Sequence, residues 1–347
     1  MKAAVLLSQG KIEIVDKLVP SIRPDEVLVK VTACGICASD VKKFTGDSSC
    51  KMPIVLGHEI GGYVSKAGNE TSFSQNERVS IMPDISCGTC EYCSRNRFNL
   101  CSNLKSVGYG TDLIEAIDGG FAEFVKVPAA TVLRLGEGIS YQDATYIEPM
   151  SAALRTVDRV NLKVDDNVAI IGDGRMGLLH LQLFRIWGVK NAFVIGLIDE
   201  RLKLAESLGA TRTINGGRED PNEVIMKETR VGVDAVIDTT GSIAAINSSV
   251  SLLRKGGELV LFASARHSDK LTIEANRVHY DEVTITGSYG VGSRMDFVKA
   301  ADLIGSGRVN VRSLTSSVLP LEQLERGFKD VAERKSVRTI VRLDDAS

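Results

Sequence analysis

The first part of the chain has the spacing of hydrophobic residues that is typical of β-strands. Val27, Val29 and Val31 stand at every second position, which is the period at which side chains recur on one face of a strand. The same alternation returns over residues 119–135, and glycines and prolines punctuate residues 1–70 as turns require. We therefore predict that this part of the chain is rich in β-strands.

Strand and helix patterns alternate in the second part of the chain, after a helical spacing over Tyr141–Val160. The predicted strands are Val168–Ile171, Ala192–Leu197, Ala235–Asp238, Glu258–Ala263 and Thr284–Gly287, and the predicted helices between them are Met176–Trp187, Leu202–Leu208 and 243–254. This alternation predicts a parallel sheet with crossover helices. A further helical pattern over Phe297–Ile304 and a strand at Thr339–Leu343 then complete the chain.

These patterns predict an α/β protein of two domains. Residues 1–150 and 290–347 are expected to form a β-rich domain, and residues 151–289 a doubly wound domain. A length of 347 residues fits two domains of ordinary size.

Composition narrows the class of protein. Hydrophobic residues make up 44% of the chain and charged residues 25%, which excludes a disordered chain or a collagen-like fibre. The formal net charge is -2 and aromatic residues are only 5%, so a nucleic-acid partner is not expected. No window approaches the roughly 18 uninterrupted apolar residues of a membrane span, so a membrane partner is not expected either. The N-terminus lacks the apolar core of a signal peptide, which favours the cytoplasm. The seven cysteines are then expected to be thiols or metal ligands.

Four cysteines cluster in a segment that has little periodicity, over about residues 84–104. Cys87, Cys90, Cys93 and Cys101 follow the spacing C-x2-C-x2-C-x7-C. Four thiolates this close can complete a tetrahedral shell around Zn²⁺, which would cross-link the loop and leave no position for a substrate. An iron–sulfur cluster and chance placement of free cysteines are the alternatives.

A second set of candidate ligands is scattered over the sequence. Cys37, His58, Glu59 and Glu148 together supply sulfur, imidazole and carboxylate, a mixture suited to a catalytic zinc site with an open position. Asp40 could accept the other ring N–H of His58, and Ser39 could pass on a proton. Each of these residues taken alone has an ordinary structural explanation.

A glycine-rich turn follows the first predicted strand of the second domain. Gly172, Gly174 and Gly177 fit G-x-G-x-x-G, with Arg175 and Met176 between them. In this context the glycines predict a tight turn that a dinucleotide pyrophosphate can approach at a helix N-terminus. An unliganded α/β domain with a tight glycine turn is the alternative.

The end of the second predicted strand departs from the usual dinucleotide site. An acid that binds the ribose of NAD is expected there, but the strand ends at Gly196. Gly196 would leave room for the 2′-phosphate of NADP, which Arg201 could reach, whereas Asp199 and Glu200 oppose a phosphate. Both NAD and NADP stay open as cofactors.

Combined with Asp118-Gly119-Gly120-Phe121-Ala122-Glu123 and Ile147-Glu148-Pro149, these motifs resemble the zinc-dependent medium-chain dehydrogenases, in their sorbitol/polyol dehydrogenase-like branch. The resemblance covers essentially the whole chain. It implies a GroES-like catalytic domain, a Rossmann domain and two zinc ions per subunit, one catalytic and one structural. It also implies a homodimer or homotetramer.

By that resemblance, Cys37, His58 and a carboxylate hold the catalytic zinc, and the carboxylate is Glu148, directly or through water, or Glu59. The implied reaction is hydride transfer between a secondary alcohol (a polyol, sugar or sugar phosphate) and NAD(P), with a proton leaving through Ser39.

Departures from the family pattern and two other functions remain open. Ala38 replaces a glycine, Lys42 stands where many relatives carry a relay histidine, and Ser288 precedes Tyr289 where several sorbitol dehydrogenases carry arginine. The alternatives are a threonine 3-dehydrogenase-like activity and a non-catalytic, cofactor-binding redox sensor. The other histidines, His180, His267 and His279, are expected to be surface or packing residues.

Overall fold

The computed structural model describes residues 1–111, 114–266 and 268–343, so that His267 lies outside the described residues. The chain divides into two compact units. Unit 1 comprises Met1–Ser151 and Val291–Ser347, and unit 2 comprises Ala152–Gly290. None of the helices in the described ranges is both long and apolar enough to cross a membrane.

Unit 1 is built mainly from antiparallel sheets. Its strands are β1 (Lys2–Ser8), β2 (Lys11–Asp16), β3 (Glu26–Gly35), β4 (Ile54–Val55), β5 (Glu59–Ala67), β6 (Arg78–Ile81), β7 (Asp84–Ile85), β8 (Lys105–Val107), β9 (Glu115–Ile117), β10 (Phe124–Pro128) and β11 (Val132–Arg134). Two further strands of unit 1 follow unit 2 in the chain. In the largest sheet β3 is central, paired with β5 and β10, and all its residues except Lys30 are buried. Because both faces of β3 are buried, its apolar residues are not confined to every second position.

The helices in the first stretch of unit 1 include two that the hydrophobic pattern did not predict. They are α1 (Ala38–Thr45), α2 (Glu91–Ser94), α3 (Tyr141–Ala144) and α4 (Ile147–Arg159), whose last part belongs to unit 2. The two unpredicted helices are α1 and α2. Helix α1 is followed by Gly46, which has a φ of 87°, a left-handed conformation that glycine adopts at little cost.

The single helix predicted over Tyr141–Val160 is wrong, because the structure divides it into α3 and α4. Pro149 has no N–H to donate to the carbonyl of Thr145, four residues earlier. That carbonyl instead accepts a hydrogen bond of 2.9 Å from Arg338 Nη2. The break therefore supplies an acceptor for a buried arginine.

Unit 2 contains the predicted parallel sheet, which is confirmed. Its strands are β12 (Asn167–Ile171), β13 (Asn191–Gly196), β14 (Arg212–Asn215), β15 (Val233–Asp238), β16 (Leu253–Leu261) and β17 (Thr284–Gly287). Within the described residues the order is β14-β13-β12-β15-β16-β17, with all neighbours parallel. This is the doubly wound order of a Rossmann fold, in which the strand order reverses beside β12.

Helices cross between these strands. They are α5 (Arg175–Trp187), α6 (Asp199–Ser207), α7 (Pro221–Thr229), α8 (Ile243–Ser249) and α9 (Ala275–Tyr280). The predicted helix over 243–254 is too long, since β16 already begins at Leu253. The strand continues through Gly256 and Gly257, where a register shift interrupts its pairing with β15. Because two glycines interrupt the apolar pattern, the first part of this strand could not be predicted from the sequence.

The rest of the chain returns to unit 1. It forms α10 (Arg294–Gly305), β18 (Ser317–Pro320), α11 (Leu324–Ala332) and β19 (Thr339–Arg342). Strand β19 pairs antiparallel with the end of β3, so the last described strand extends the central sheet of unit 1. This pairing brings Arg338, which precedes β19, beside the residues that follow β3.

Candidate active site

Four cysteine sulfurs of unit 1 lie together as the spacing predicts. The Sγ atoms of Cys87, Cys90, Cys93 and Cys101 all lie within 4.8 Å of one another. The Sγ atom of Cys90 is 3.6 Å from that of Cys93 and 3.9 Å from that of Cys101. Four sulfur donors in a group of this size fit the tetrahedral shell of a structural Zn²⁺ and leave no open position.

The surrounding backbone is arranged to stabilise negative sulfur. The N–H groups of Cys87 and Asn103 donate to Cys101 Sγ over 3.2 Å and 3.4 Å. Hydrogen bonds from the backbone and side chain of Thr89 lower the pKa of Cys87 to about 5, whereas burial and the neighbouring thiols raise the pKa of Cys93 to about 12. A divalent cation is the group that would let all four sulfurs ionise together.

A second group of ligand atoms is assembled by strand pairing. Cys37 follows β3 and His58 precedes β5, and the antiparallel register sets Gly35 opposite Glu59. As a result, ligand atoms of Cys37, His58 and Glu59 lie within 4.8 Å of one another. His58 and Glu59 are buried, whereas Cys37 is partly exposed. One sulfur, one imidazole and one carboxylate with a partly open side fit a catalytic zinc site.

Asp40 lies behind this group, as the sequence predicts for a residue that orients His58. Its Oδ2 accepts the backbone N–H of Cys37 at 2.9 Å, and its Oδ1 lies 3.4 Å from His58 Nδ1. Burial opposes a charge on the imidazole, but the Asp40 carboxylate outweighs burial and raises the pKa of His58 well above its usual value. The same carboxylate would favour the tautomer that leaves Nε2 for a metal.

Glu59 is held by a buried arginine that the sequence analysis missed. The Arg338 side chain is fully buried, and its Nη1 contacts Glu59 Oε2 and the carbonyl oxygen of Ile36. Its Nη2 binds the carbonyl of Thr145, which precedes α4. Arg338 therefore ties three segments of unit 1 together around the ligand group. An isolated arginine before a short strand carries no sequence signal for this role.

The remaining predicted residues of unit 1 occupy two helix starts. Glu148 is half-buried in the first turn of α4 and lies outside the described group of ligand atoms within 4.8 Å. Ser39 is half-buried in the first turn of α1, and its carbonyl lies 3.4 Å from Lys43 Nζ. Lys43 is buried. The sequence analysis considered Lys42 and overlooked this neighbouring lysine.

Two more side chains near His58 were missed. The ring of Tyr109 lies 5.0 Å from the His58 ring, and its hydroxyl donates to Asp84 Oδ1. Burial raises the pKa of Asp84 to about 6, even though that hydrogen bond opposes the rise. Both residues flank the cysteine segment, and nothing in their spacing links them to His58.

The glycine-rich turn in unit 2 has the geometry of a dinucleotide cradle. Gly172 has a φ of 119°, and a Cβ there would lie 2.3 Å from Thr239 Oγ1. A Cβ at Gly177 would lie 1.9 Å from the Gly172 carbonyl oxygen, whereas one at Gly174 would meet nothing within 4 Å. The turn therefore packs tightly on the strand side and stays open at Gly174, where a pyrophosphate can approach the N-terminus of α5, at Arg175 and Met176.

The space at the end of β13 is occupied by an acid from the glycine-rich turn. A Cβ at Gly196 would lie 2.5 Å from Asp173 Oδ2, and Arg201 Nη1 lies 3.7 Å from Asp173 Oδ1. The room that the sequence analysis assigned to a 2′-phosphate at Gly196 is therefore filled by Asp173. Asp199 faces away to Arg218, at 2.9 Å.

Both units match models of known protein families. Residues 23–137 match the alcohol dehydrogenase GroES-like domain, and residues 176–306 match the zinc-binding dehydrogenase domain. The sorbitol dehydrogenase of Bacillus subtilis (strain 168) is 30% identical over 342 residues, which cover 97% of this chain and 95% of that protein.

Solved structures of other proteins share the fold over almost the whole chain. A protein from Sinorhizobium meliloti 1021, solved with NADP bound, has a TM-score of 0.92 and 31% identity, over 99% of both chains. The galactitol-1-phosphate dehydrogenase of Escherichia coli has a TM-score of 0.90 and 25% identity, over 99% of this chain and 100% of that one. The α/β fold with a GroES-like and a Rossmann part is thereby confirmed.

Proposed function

The chain belongs to the zinc-dependent medium-chain dehydrogenases, and we propose that it is an NAD(P)-dependent oxidoreductase of polyols or related secondary alcohols. The observation that carries the proposal is the partly exposed group of Cys37, His58 and Glu59. Three protein ligands with an accessible side are typical of a catalytic zinc site, which keeps one position open, whereas a structural site is closed by four protein ligands. The glycine-rich turn of unit 2 supplies the second requirement, a place for the dinucleotide.

The ligand side chains have distinct tasks in this proposal. Cys37 and His58 hold the catalytic zinc, and Glu59, which lies in the same group, is the third donor that the geometry favours over Glu148. When bound, zinc would supply a Lewis acid that acidifies a hydroxyl group, and the nicotinamide would supply the hydride acceptor. Cys87, Cys90, Cys93 and Cys101 hold the structural zinc.

The neighbouring residues position ligands and move a proton. Asp40 holds His58 in one tautomer through its contact with Nδ1. Arg338 restrains the carboxylate of Glu59 through Oε2. Ser39, in the first turn of α1, receives the proton of the substrate hydroxyl and passes it toward solvent. In unit 2, backbone N–H groups at Arg175 and Met176 bind the pyrophosphate.

The substrate class rests on the relatives. Sorbitol is the substrate named for one relative and galactitol 1-phosphate for another. A polyol, sugar or sugar phosphate with a secondary hydroxyl is the matching class for this chain. We place the enzyme in the cytoplasm, where cysteines stay reduced and are available as metal ligands, and we propose that it is a homodimer or homotetramer.

A turnover screen tests the proposal. Reduced-nicotinamide absorbance is followed with NAD⁺ and NADP⁺ separately, against polyols, sugar phosphates and threonine, with and without a metal chelator. We expect chelator-sensitive turnover with at least one polyol or sugar phosphate.

Two outcomes would contradict the proposal. Turnover with threonine alone would identify a threonine 3-dehydrogenase-like enzyme instead. No turnover from a protein that retains bound zinc and binds the nucleotide would favour the non-catalytic, cofactor-binding alternative.

A further inference from the structure

We propose that Asp173, inside the glycine-rich turn, is the acid that faces the adenosine ribose and that it selects NAD(H) over NADP(H). The proposal rests on the proposed function, because it requires that unit 2 binds a nicotinamide dinucleotide. It adds a specificity-determining residue at a position between two glycines where the motif G-x-G-x-x-G prescribes no residue type.

The first support is the position of the Asp173 carboxylate. Its Oδ2 accepts the backbone N–H groups of Leu197 and Ile198, at 2.8 Å and 2.9 Å. These residues directly follow β13, the second strand of the Rossmann sheet, and the residue is only 8% exposed. An acid that binds the ribose of NAD normally stands at this strand end. Asp173 therefore brings a carboxylate to the expected place from a different strand.

The second support is the match between Asp173 and Gly196. A Cβ added at Gly196 would lie 2.5 Å from Asp173 Oδ2 and 2.6 Å from Asp173 Cβ. A side chain at position 196 and the observed position of Asp173 therefore exclude each other. The glycine at the end of β13, where an acid is usual, therefore makes room for the carboxylate of Asp173 from the turn.

The third support is electrostatic. The donors that would bind a 2′-phosphate here are the two N–H groups and the guanidinium of Arg201, whose side chain is 11% exposed. The N–H groups are bound by Asp173, and Arg201 Nη1 lies 3.7 Å from Asp173 Oδ1. A phosphate placed here would meet a buried like charge and donors already in use, which is costly. A ribose 2′-hydroxyl can instead donate to the carboxylate.

Nucleotide affinity tests the assignment without any substrate. Dissociation constants for NADH and NADPH are measured by isothermal titration calorimetry with the full-length protein. The wild type should bind NADH more tightly by about tenfold or more. In Asp173→Asn the amide oxygen can still accept from Leu197 and Ile198, but the charge is gone. We therefore expect NADPH to bind at least about tenfold more tightly than in the wild type.

Two further variants separate charge from fold. Asp165→Asn makes the same charge change at an exposed residue before β12, at the opposite edge of the sheet, where a φ of 75° suits asparagine. It should leave both affinities unchanged. The double variant Asp173→Asn, Arg201→Gln should lose the increase in NADPH affinity, because glutamine lacks the positive charge that would bind the 2′-phosphate.

The outcomes distinguish this inference from the proposed function. Tighter binding of NADPH than NADH by the wild type would overturn the assignment of Asp173, as would an affinity ratio that Asp173→Asn leaves unchanged. In both cases the dehydrogenase function would stand. Binding of neither nucleotide would overturn the proposed function and this inference with it.

Discussion

Two groups of candidate metal ligands lie in the same unit of this protein and are assembled in opposite ways. The four cysteines come from one segment of fifteen residues, Cys87–Cys101, and all their donors are sulfur. Cys37, His58 and Glu59 come from two separate segments that strand pairing brings together. The first group is closed, whereas the second is mixed and partly open.

The surroundings of the two groups differ as much as the ligands do. Two backbone N–H groups of the cysteine segment donate to Cys101 Sγ, so the local chain and a bound metal would stabilise each other. The open group instead depends on two further side chains, Asp40 from the first turn of α1 and Arg338 from the distant segment before β19. The difference teaches that a structural site can be encoded locally, whereas a catalytic site needs a prebuilt frame that keeps one position of the metal free.

The largest expected effect separates catalysis from stability. Cys37→Ala or His58→Ala should lower kcat/KM by about a thousandfold or more, because the metal that acidifies the hydroxyl is lost. The melting temperature should change little, since the Asp40 carboxylate still accepts the backbone N–H at position 37 and Arg338 still contacts Glu59 in both variants. Initial rates and thermal melts measure the two effects. His279→Ala, an exposed histidine in unit 2, is the control, and wild-type rates in either ligand variant would remove the catalytic assignment.

The next effect tests the frame of the open group. Arg338→Met leaves the buried carboxylate of Glu59 without its cation, which should lower the free energy of unfolding by about 3–5 kcal/mol. Arg338→Lys keeps the charge but cannot reach Glu59, Ile36 and Thr145 together, so it should recover part of that loss. Urea denaturation measures both variants. A loss of unfolding free energy below about 1 kcal/mol for Arg338→Met would show that the contacts of Arg338 are not needed to hold the open group together.

The closed group should show the reverse of the first prediction. Cys90→Ala should cost about 2–4 kcal/mol of unfolding free energy and lower the melting temperature by several degrees, because the metal cross-link of the lobe is lost. Metal analysis should find one zinc fewer per chain. Cys50→Ala, outside both groups, is the matched control. An unchanged melting temperature for Cys90→Ala would contradict a structural metal in this lobe.

The smallest effect concerns the residue behind His58. Asp40→Asn keeps an acceptor for the Cys37 N–H but removes the charge that faces His58 Nδ1. Zinc affinity at the open group should fall by about 10–100-fold, while the cysteine lobe keeps its metal. Competition with a chromophoric chelator measures this loss. Equal weakening at both sites would mean that Asp40 acts on the fold and not on His58.

The sequence predicts most where the signal is local. The cysteine spacing, the glycine-rich turn and the strand patterns of unit 2 each lie within a few residues, and the predicted parallel sheet is confirmed. The predicted helix over Tyr141–Val160 is wrong because Pro149 frees the Thr145 carbonyl for an arginine almost two hundred residues later. No local pattern can report such a partner.

The same limit explains the residues that the sequence analysis missed in the sites. Arg338, Tyr109 and Asp173 act through contacts with segments distant in the chain, and each belongs to a residue type common on protein surfaces or in turns. Asp173 in particular reads as a spacer between two glycines, and only the clash that a side chain at Gly196 would make with it reveals the pairing. Long-range partners of this kind become visible only in the fold.

A stepwise chelator titration tests the central claim most directly. Zinc release and the rate of alcohol oxidation are followed together as chelator is added to the folded enzyme. The account predicts that all turnover is lost with the first zinc equivalent, from Cys37, His58 and Glu59, while the second equivalent stays in the cysteine lobe until the protein unfolds. Turnover that survives loss of the first equivalent, or release of both ions in a single step from folded protein, would contradict it.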